Sequence, residues 1–193
     1  MARVTMVVGG SRSGKSIFAE KITHDLEQEQ AGVVTYIATG TIWDQEFAKR
    51  VEKHKNRRPK TWGLIEEPCN LHYAITDNKI HDIFLIDGIG TWVTNLMYKI
   101  SPKGDHQSQE NQDFNWNKEH EDKFAEYLKL FIDACNNAQG TIIIVADEVG
   151  MDVVPYHKEA RIFRDLNGMA NQQLANNAQE VYLVTCGIPL KIK

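Results

Sequence analysis

Gly9-Gly10-Ser11-Arg12-Ser13-Gly14-Lys15-Ser16 follows directly on the apolar run Val4-Thr5-Met6-Val7-Val8 and leads into a helix-like stretch over residues 17–26. A Gly-x-x-x-x-Gly-Lys-Ser octapeptide between a strand and a helix reads as a phosphate-binding loop. Its glycines let successive backbone N–H groups turn toward phosphate oxygens, and the following helix adds the positive end of its dipole. In that arrangement Lys15 reaches the β- and γ-phosphates, and the Ser16 hydroxyl ligates Mg2+. All eight residues are expected to contact a nucleoside triphosphate. The plain alternative, a Gly-rich turn without ligand, is disfavoured by the strand–loop–helix setting. The loop leaves open which reaction the nucleotide undergoes.

Working outward, β-branched apolar runs recur at residues 4–8, 33–38, 83–86, 142–146 and 181–184, each followed by Gly, Thr or Asp and then a helix-like stretch. Continuous rather than alternating apolarity marks strands buried on both faces. An α/β fold follows, with a mostly parallel sheet flanked by helices. Ligands in such sheets bind at the carboxyl ends of the strands, so the chemistry should collect at residues 9–16, 39–41, 87–91 and 147–150. The end of the chain, with Cys186-Gly187-Ile188-Pro189 between two apolar pieces, reads as a hairpin adding an antiparallel edge strand. Residues 101–119 are polar and read as a surface loop, after which Phe124, Leu128, Phe131, Ile132 and Cys135 give a helical stripe.

The chain has 193 residues, 42% of them hydrophobic, and a net charge of −4, which fits a single domain over residues 1–193. An acidic balance argues against nucleic acid as a partner. The three cysteines are widely spaced and form no metal-ligand pattern, as in a reduced cytoplasmic protein. No apolar stretch reaches the length of a membrane span, and the loop lies too near Met1 for a signal peptide.

A phosphate loop needs a carboxylate at the end of a neighbouring strand to complete the metal shell. Ile83-Phe84-Leu85-Ile86-Asp87 has that form, which makes Asp87, with Ser16, the metal candidate. Such an acid can also cap a helix. Asp147-Glu148 ends another apolar run, and capping, substrate binding and solvation are equally open for it.

Lys49, Arg50, Lys53, Lys55, Arg57, Arg58 and Lys60 surround His54, with Glu52 as the only acid. A run of this kind is by default a solvated helix face. Facing a triphosphate, it would instead supply cations to the phosphates. Trp43, Phe47, Val51 and His54 share one face, so the histidine lies near the apolar face where this helix meets the body, and on spacing alone a histidine of this kind is by default a packed or solvated residue. Surrounding cations disfavour the imidazolium. A neutral imidazole is a competent nucleophile toward the α-phosphorus of a triphosphate, forming a phosphoramidate. Neighbouring Arg and Lys would stabilise the transferring phosphoryl oxygens and departing pyrophosphate.

Taken together, the segments resemble the bifunctional adenosylcobinamide kinase/adenosylcobinamide-phosphate guanylyltransferases, nearly end to end. The resemblance rests on the phosphate loop; Tyr36-Ile37-Ala38-Thr39; His54-Lys55 with Arg58-Pro59 and Trp62; Thr91-Trp92-Val93-Thr94-Asn95-Leu96; Glu148-Val149-Gly150 with Val154-Pro155; Phe163-Arg164-Asp165 with Asn171-Gln172; and Gly187-Ile188-Pro189-Leu190. It implies phosphorylation of adenosylcobinamide by ATP or GTP, then GMP transfer from GTP to adenosylcobinamide phosphate through a GMP–histidine intermediate on His54. Family nucleotide contacts fall on the phosphate loop, Ala38-Thr39-Gly40, Lys55-Asn56-Arg57-Arg58, Glu66 and Asp87. The resemblance also implies a RecA-like sheet and a homotrimer. Asp87 stands where a glutamate is frequent, Asp147 for an asparagine, Asp152 for a glycine and Met169 for an arginine. Two other readings share the phosphate loop: a simple small-molecule kinase in which His54 is structural, and a nucleotide-driven regulatory module.

Overall fold

The computed structural model describes residues 2–41, 52, 57–77, 83–102 and 114–193. Seven strands form one sheet: β1 (Arg3–Gly9), β2 (Val34–Ala38), β3 (Gly63–Glu66), β4 (Ile83–Asp87), β5 (Thr141–Asp147), β6 (Glu180–Thr185) and β7 (Ile188–Lys191). Their order is β3-β2-β4-β5-β1-β6-β7. Every pairing is parallel except β6 with β7, the expected terminal hairpin. The described helices are α1 (Lys15–Gln30), α2 (Leu71–Thr76), α3 (Ile89–Ile100), α4 (Lys118–Asn137) and α5 (Lys158–Asn177).

The unbroken apolarity of the strands is explained by how neighbouring side chains divide between the two faces. Val4, Met6, Val8, Phe84, Ile86, Ile142, Ile144 and Ala146 join the larger core with Trp92, Leu96, Phe124, Leu128, Phe131 and Leu166 from α3, α4 and α5. Val7, Ile83, Leu85, Ile143 and Val145 point to the other face, where Phe18, Ala19, Ile22 and Leu26 of α1 cover them. A strand of a parallel sheet therefore has no side to leave polar.

Two elements depart from the sequence reading. β3 was not anticipated: it is a four-residue edge strand, largely exposed, and only Ile65 packs on the core, so it carries no periodic signal. The segment read as a surface loop over 101–119 ends in packed structure. Phe114 is buried, stacks on Trp116 and meets Tyr98 edge to face, while the Ser101 hydroxyl donates to the Asn115 carbonyl at 2.6 Å. Lys118 already belongs to α4, whose start is fixed by a reciprocal capping box between Asn117 and His120. Residues 103–113 lie outside the described set.

Helix α3 ties the carboxyl ends of β2, β3 and β4 together. Trp92 is fully buried and its Nε1 donates to the Cys69 carbonyl at 2.8 Å, while Asn95 Nδ2 donates to the carbonyls of Thr39 and Pro68. Trp92→Ala is expected to cost about 3–5 kcal/mol through the cavity and the lost contacts. Val153→Ala, at an exposed position, should stay within about 0.5 kcal/mol. Equilibrium denaturation of both variants checks this; near-equal midpoints would contradict the role given to α3.

Candidate active site

The phosphate loop is closed between β1 and α1 by short backbone bonds. Ser13 N donates to the Gly10 carbonyl at 3.2 Å and Phe18 N to the Gly14 carbonyl at 3.0 Å. Gly14, the N-cap of α1, has φ +95°, a left-handed conformation that favours glycine. It also lies against the turn of the terminal hairpin, where Gly187 N donates to the Ser13 carbonyl at 2.8 Å. The hairpin thus backs the loop. The first turn of α1 holds no acidic residue and no side-chain cap, so its N–H groups are left for an anion. Ser11 and Arg12 are exposed, whereas Ser13 is buried and Ser16 half-buried.

Lys15 does not reach outward alone. Its Nζ donates to the Gly10 carbonyl at 3.1 Å and pairs with Asp147 Oδ1 at 2.8 Å, with the lysine side chain only 13% exposed. Beyond capping, substrate binding and solvation, the structure gives Asp147 another role, as counterion of the loop lysine. Gly9 and Asp147 are register partners at the ends of β1 and β5, and Glu148 N donates to the Gly9 carbonyl at 3.0 Å. Glu148 itself turns back locally, accepting from Gly150 N at 2.5 Å.

Asp87 ends β4, on the far side of β5 from the loop strand. Its Oδ2 accepts from the Tyr36 hydroxyl at 3.0 Å, and the Arg58 guanidinium lies 3.5 Å from the centre of the Tyr36 ring. Burial, and then the Asp87 carboxylate, push the ionisation of Tyr36 far above that of a free tyrosine, so its hydroxyl stays a donor. Ala38 and Gly40 flank the buried Thr39, whose hydroxyl donates to the Gly88 carbonyl at 2.8 Å and accepts from Gly88 N at 3.0 Å. Glu66 is exposed at the end of β3.

Arg57 forks onto Glu20 of α1, with Nη2 to Oε1 at 2.8 Å and Nε to Oε2 at 3.1 Å. Both arginines line a cleft of about 260 Å³ with Glu20, His24, Pro59 and Trp62. His54, Lys55 and Asn56 lie outside the described residues. The end of the basic segment is therefore seen against α1 and β2 through Arg57 and Arg58.

The candidate metal donors at this end of the sheet are hard oxygens, the Ser16 hydroxyl and the Asp87 carboxylate. Among the described residues no group of three or more His, Cys, Asp or Glu converges to hold a metal. This donor set suits a divalent cation that takes most of its oxygens from phosphates and water. Residues 9–16 and 38–40 and Asp87 stand at the same end of the sheet, as expected. Tyr36, Glu20 and Asp147 were not singled out as contacts. The signal for Tyr36 was its place in the Tyr36-Ile37-Ala38-Thr39 block.

The chain matches the family model described as cobinamide kinase / cobinamide phosphate guanyltransferase over residues 5–192. It is 39% identical to the bifunctional adenosylcobalamin biosynthesis protein CobU of Salmonella typhimurium, covering 97% of this chain and 98% of that one. The CobU of Escherichia coli is 38% identical with the same coverage. The CobP of Pseudomonas aeruginosa is 29% identical, covering 97% and 96%. Among solved structures, the ATPase domain of G40P superposes with a TM-score of 0.52 at 8% identity, over 94% of this chain and 68% of that one, which speaks to the fold alone. Matching that family model from residue 5 to residue 192, with relatives 38% and 39% identical along nearly their whole length, the protein belongs to the cobinamide kinase / cobinamide phosphate guanyltransferase family, bifunctional enzymes of adenosylcobalamin biosynthesis.

Proposed function

We propose that one phosphate loop serves both reactions of the family. In the first, the γ-phosphoryl of ATP or GTP passes to the terminal hydroxyl of adenosylcobinamide. In the second, GMP passes from GTP to the resulting phosphate through a covalent GMP–His54 intermediate, giving adenosylcobinamide-GDP and pyrophosphate. The observation that carries the reading is Lys15 held at the mouth of a closed loop, beside a helix start free of acids.

In the transfer step a neutral His54 attacks the α-phosphorus. A P–N bond forms, the bond to the bridging oxygen of pyrophosphate breaks, and the substrate phosphate oxygen then displaces the histidine. Lys15 and the loop N–H groups stabilise the charge on the leaving pyrophosphate. Arg57 and Arg58, with Lys55 and Asn56, act on the nucleotide from the other side, as do residues 38–40 and Glu66. Stacking on Tyr36 and the fork onto Glu20 limit the freedom of the two arginines, which supports a positioning part for the basic segment. Ser16 and Asp87 would hold Mg2+, which would neutralise charge on the phosphates.

The chain is taken to work as one domain over residues 1–193, in the cytoplasm, as a homotrimer. No described helix is long and apolar enough to cross a membrane. Self-association is supported by exposed Met151, Val153, Val154 and Tyr156, and by Ile188, Leu190 and Ile192 along and just beyond the edge strand β7.

GTP labelled at the α-phosphate should leave an acid-labile, alkali-stable label on the protein, and His54→Ala should abolish it. No retained label, or equal labelling of the variant, contradicts the covalent route. In a separate assay of both half-reactions, His54→Asn should lower GMP transfer by on the order of 10³-fold or more while the kinase step stays measurable. Survival of both steps would make His54 structural and leave a simple kinase.

A further inference from the structure

The pairing of Lys15 with Asp147 assigns the aspartate a part in choosing the form of the nucleotide that binds. A mostly buried ammonium is costly unless a carboxylate or phosphate compensates it. Asp147 supplies that compensation at 2.8 Å. A triphosphate entering the loop must take Lys15 over.

The backbone of Asp147 is anchored by two elements, and its carboxylate lies beside a third. Its strand is in register with the loop strand through Gly9. Its backbone carbonyl accepts from Asn167 Nδ2 at 2.7 Å and Asn171 Nδ2 at 2.9 Å, both from α5. Its Oδ2 rests against Gly90 in the first turn of α3, where even an added methyl would collide with the carboxylate. Once Lys15 turns to phosphate, the Asp147 carboxylate is left as an uncompensated negative charge beside a polyanion. Like charges at such a distance repel, and the repulsion grows where water is scarce.

We propose that Asp147 makes triphosphate binding conditional on a divalent cation: it competes with phosphate for Lys15 and disfavours the metal-free nucleotide, while the metal-bound form, carrying less negative charge, is admitted. This rests on the reading above that the loop and Lys15 hold the triphosphate. It adds a specificity residue to the site, distinct from Asp87, the expected metal ligand. The asparagine clamp of α5 acts on the same discrimination by keeping Asp147 in place.

The test is calorimetric titration of the full-length protein with GTP, once with excess Mg2+ and once with EDTA, for the wild type, Asp147→Asn, Asp147→Ala and Lys15→Ala. Melting curves verify that each variant is folded, and the isosteric Asn variant guards against a packing artefact. The wild type should bind GTP about ten-fold or more tighter with Mg2+ than without it. Asp147→Asn and Asp147→Ala should shrink that ratio to about two-fold, through tighter binding of metal-free GTP and little change with Mg2+. An unchanged ratio, or a loss of affinity confined to the Mg2+ titration, would overturn the proposal; the second result would make Asp147 a metal ligand instead. Lys15→Ala should weaken binding in both conditions. If it does not, the phosphate-loop reading itself fails, and the proposal with it. Weakening in Lys15→Ala together with an unchanged ratio in both Asp147 variants overturns the proposal alone.

Discussion

The parallel pairing of β1 with β5, unbroken from Arg3 opposite Thr141 to Gly9 opposite Asp147, is the constraint on which the site depends. It brings the start of the phosphate loop and the Asp147 carboxylate to the same level at one end of the sheet. A slip of one residue would turn every side chain of one strand to the opposite face. Such a slip is blocked because Val4, Met6 and Val8 already belong to the core under α3, α4 and α5, and Val7 to the core under α1. Packing on both faces therefore sets the position of a charge to within hydrogen-bonding distance of its partner.

Two charge systems grow from that alignment. One is Lys15 with Asp147, at the loop. The other runs from Asp87 through the Tyr36 hydroxyl to Arg58 stacked on the same ring, joining the end of β4 to the end of the basic segment. Both link an element expected to touch phosphate with a neighbour that holds it in place. Side chains held by such neighbours lose less freedom on binding, which lowers the ordering cost. Asn95, Thr39 and Trp92 serve the same end without charge, by fixing the turns after β2, β3 and β4 to one helix.

Much of this was legible in the chain. Continuous apolar runs announced five parallel-sheet strands because both faces are buried, and the octapeptide announced the loop because few other backbones need that glycine spacing. The terminal hairpin was readable from Cys186-Gly187-Ile188-Pro189. β3 was not, since an exposed edge strand of four residues needs no apolar pattern. The contacts of Tyr36 were not readable either: its carboxylate partner lies 51 positions away, and nothing local in the chain records the pairing. Asp147 looked like any acid at a strand end, and only the sheet order shows that it, rather than Asp87, stands next to the loop strand. The family resemblance drew on blocks such as Thr91 to Leu96, and the structure explains that block as scaffold, with Trp92 buried and Asn95 bonded to two separate turns.

A single triphosphate site serving both transfers has a direct consequence for binding stoichiometry. Titration of the full-length protein with a non-hydrolysable GTP analogue and Mg2+, followed by competition with ATP, should give one site per chain, with ATP displacing the analogue from it. Two independent nucleotide sites per chain, or simultaneous binding of ATP and the analogue, would contradict it.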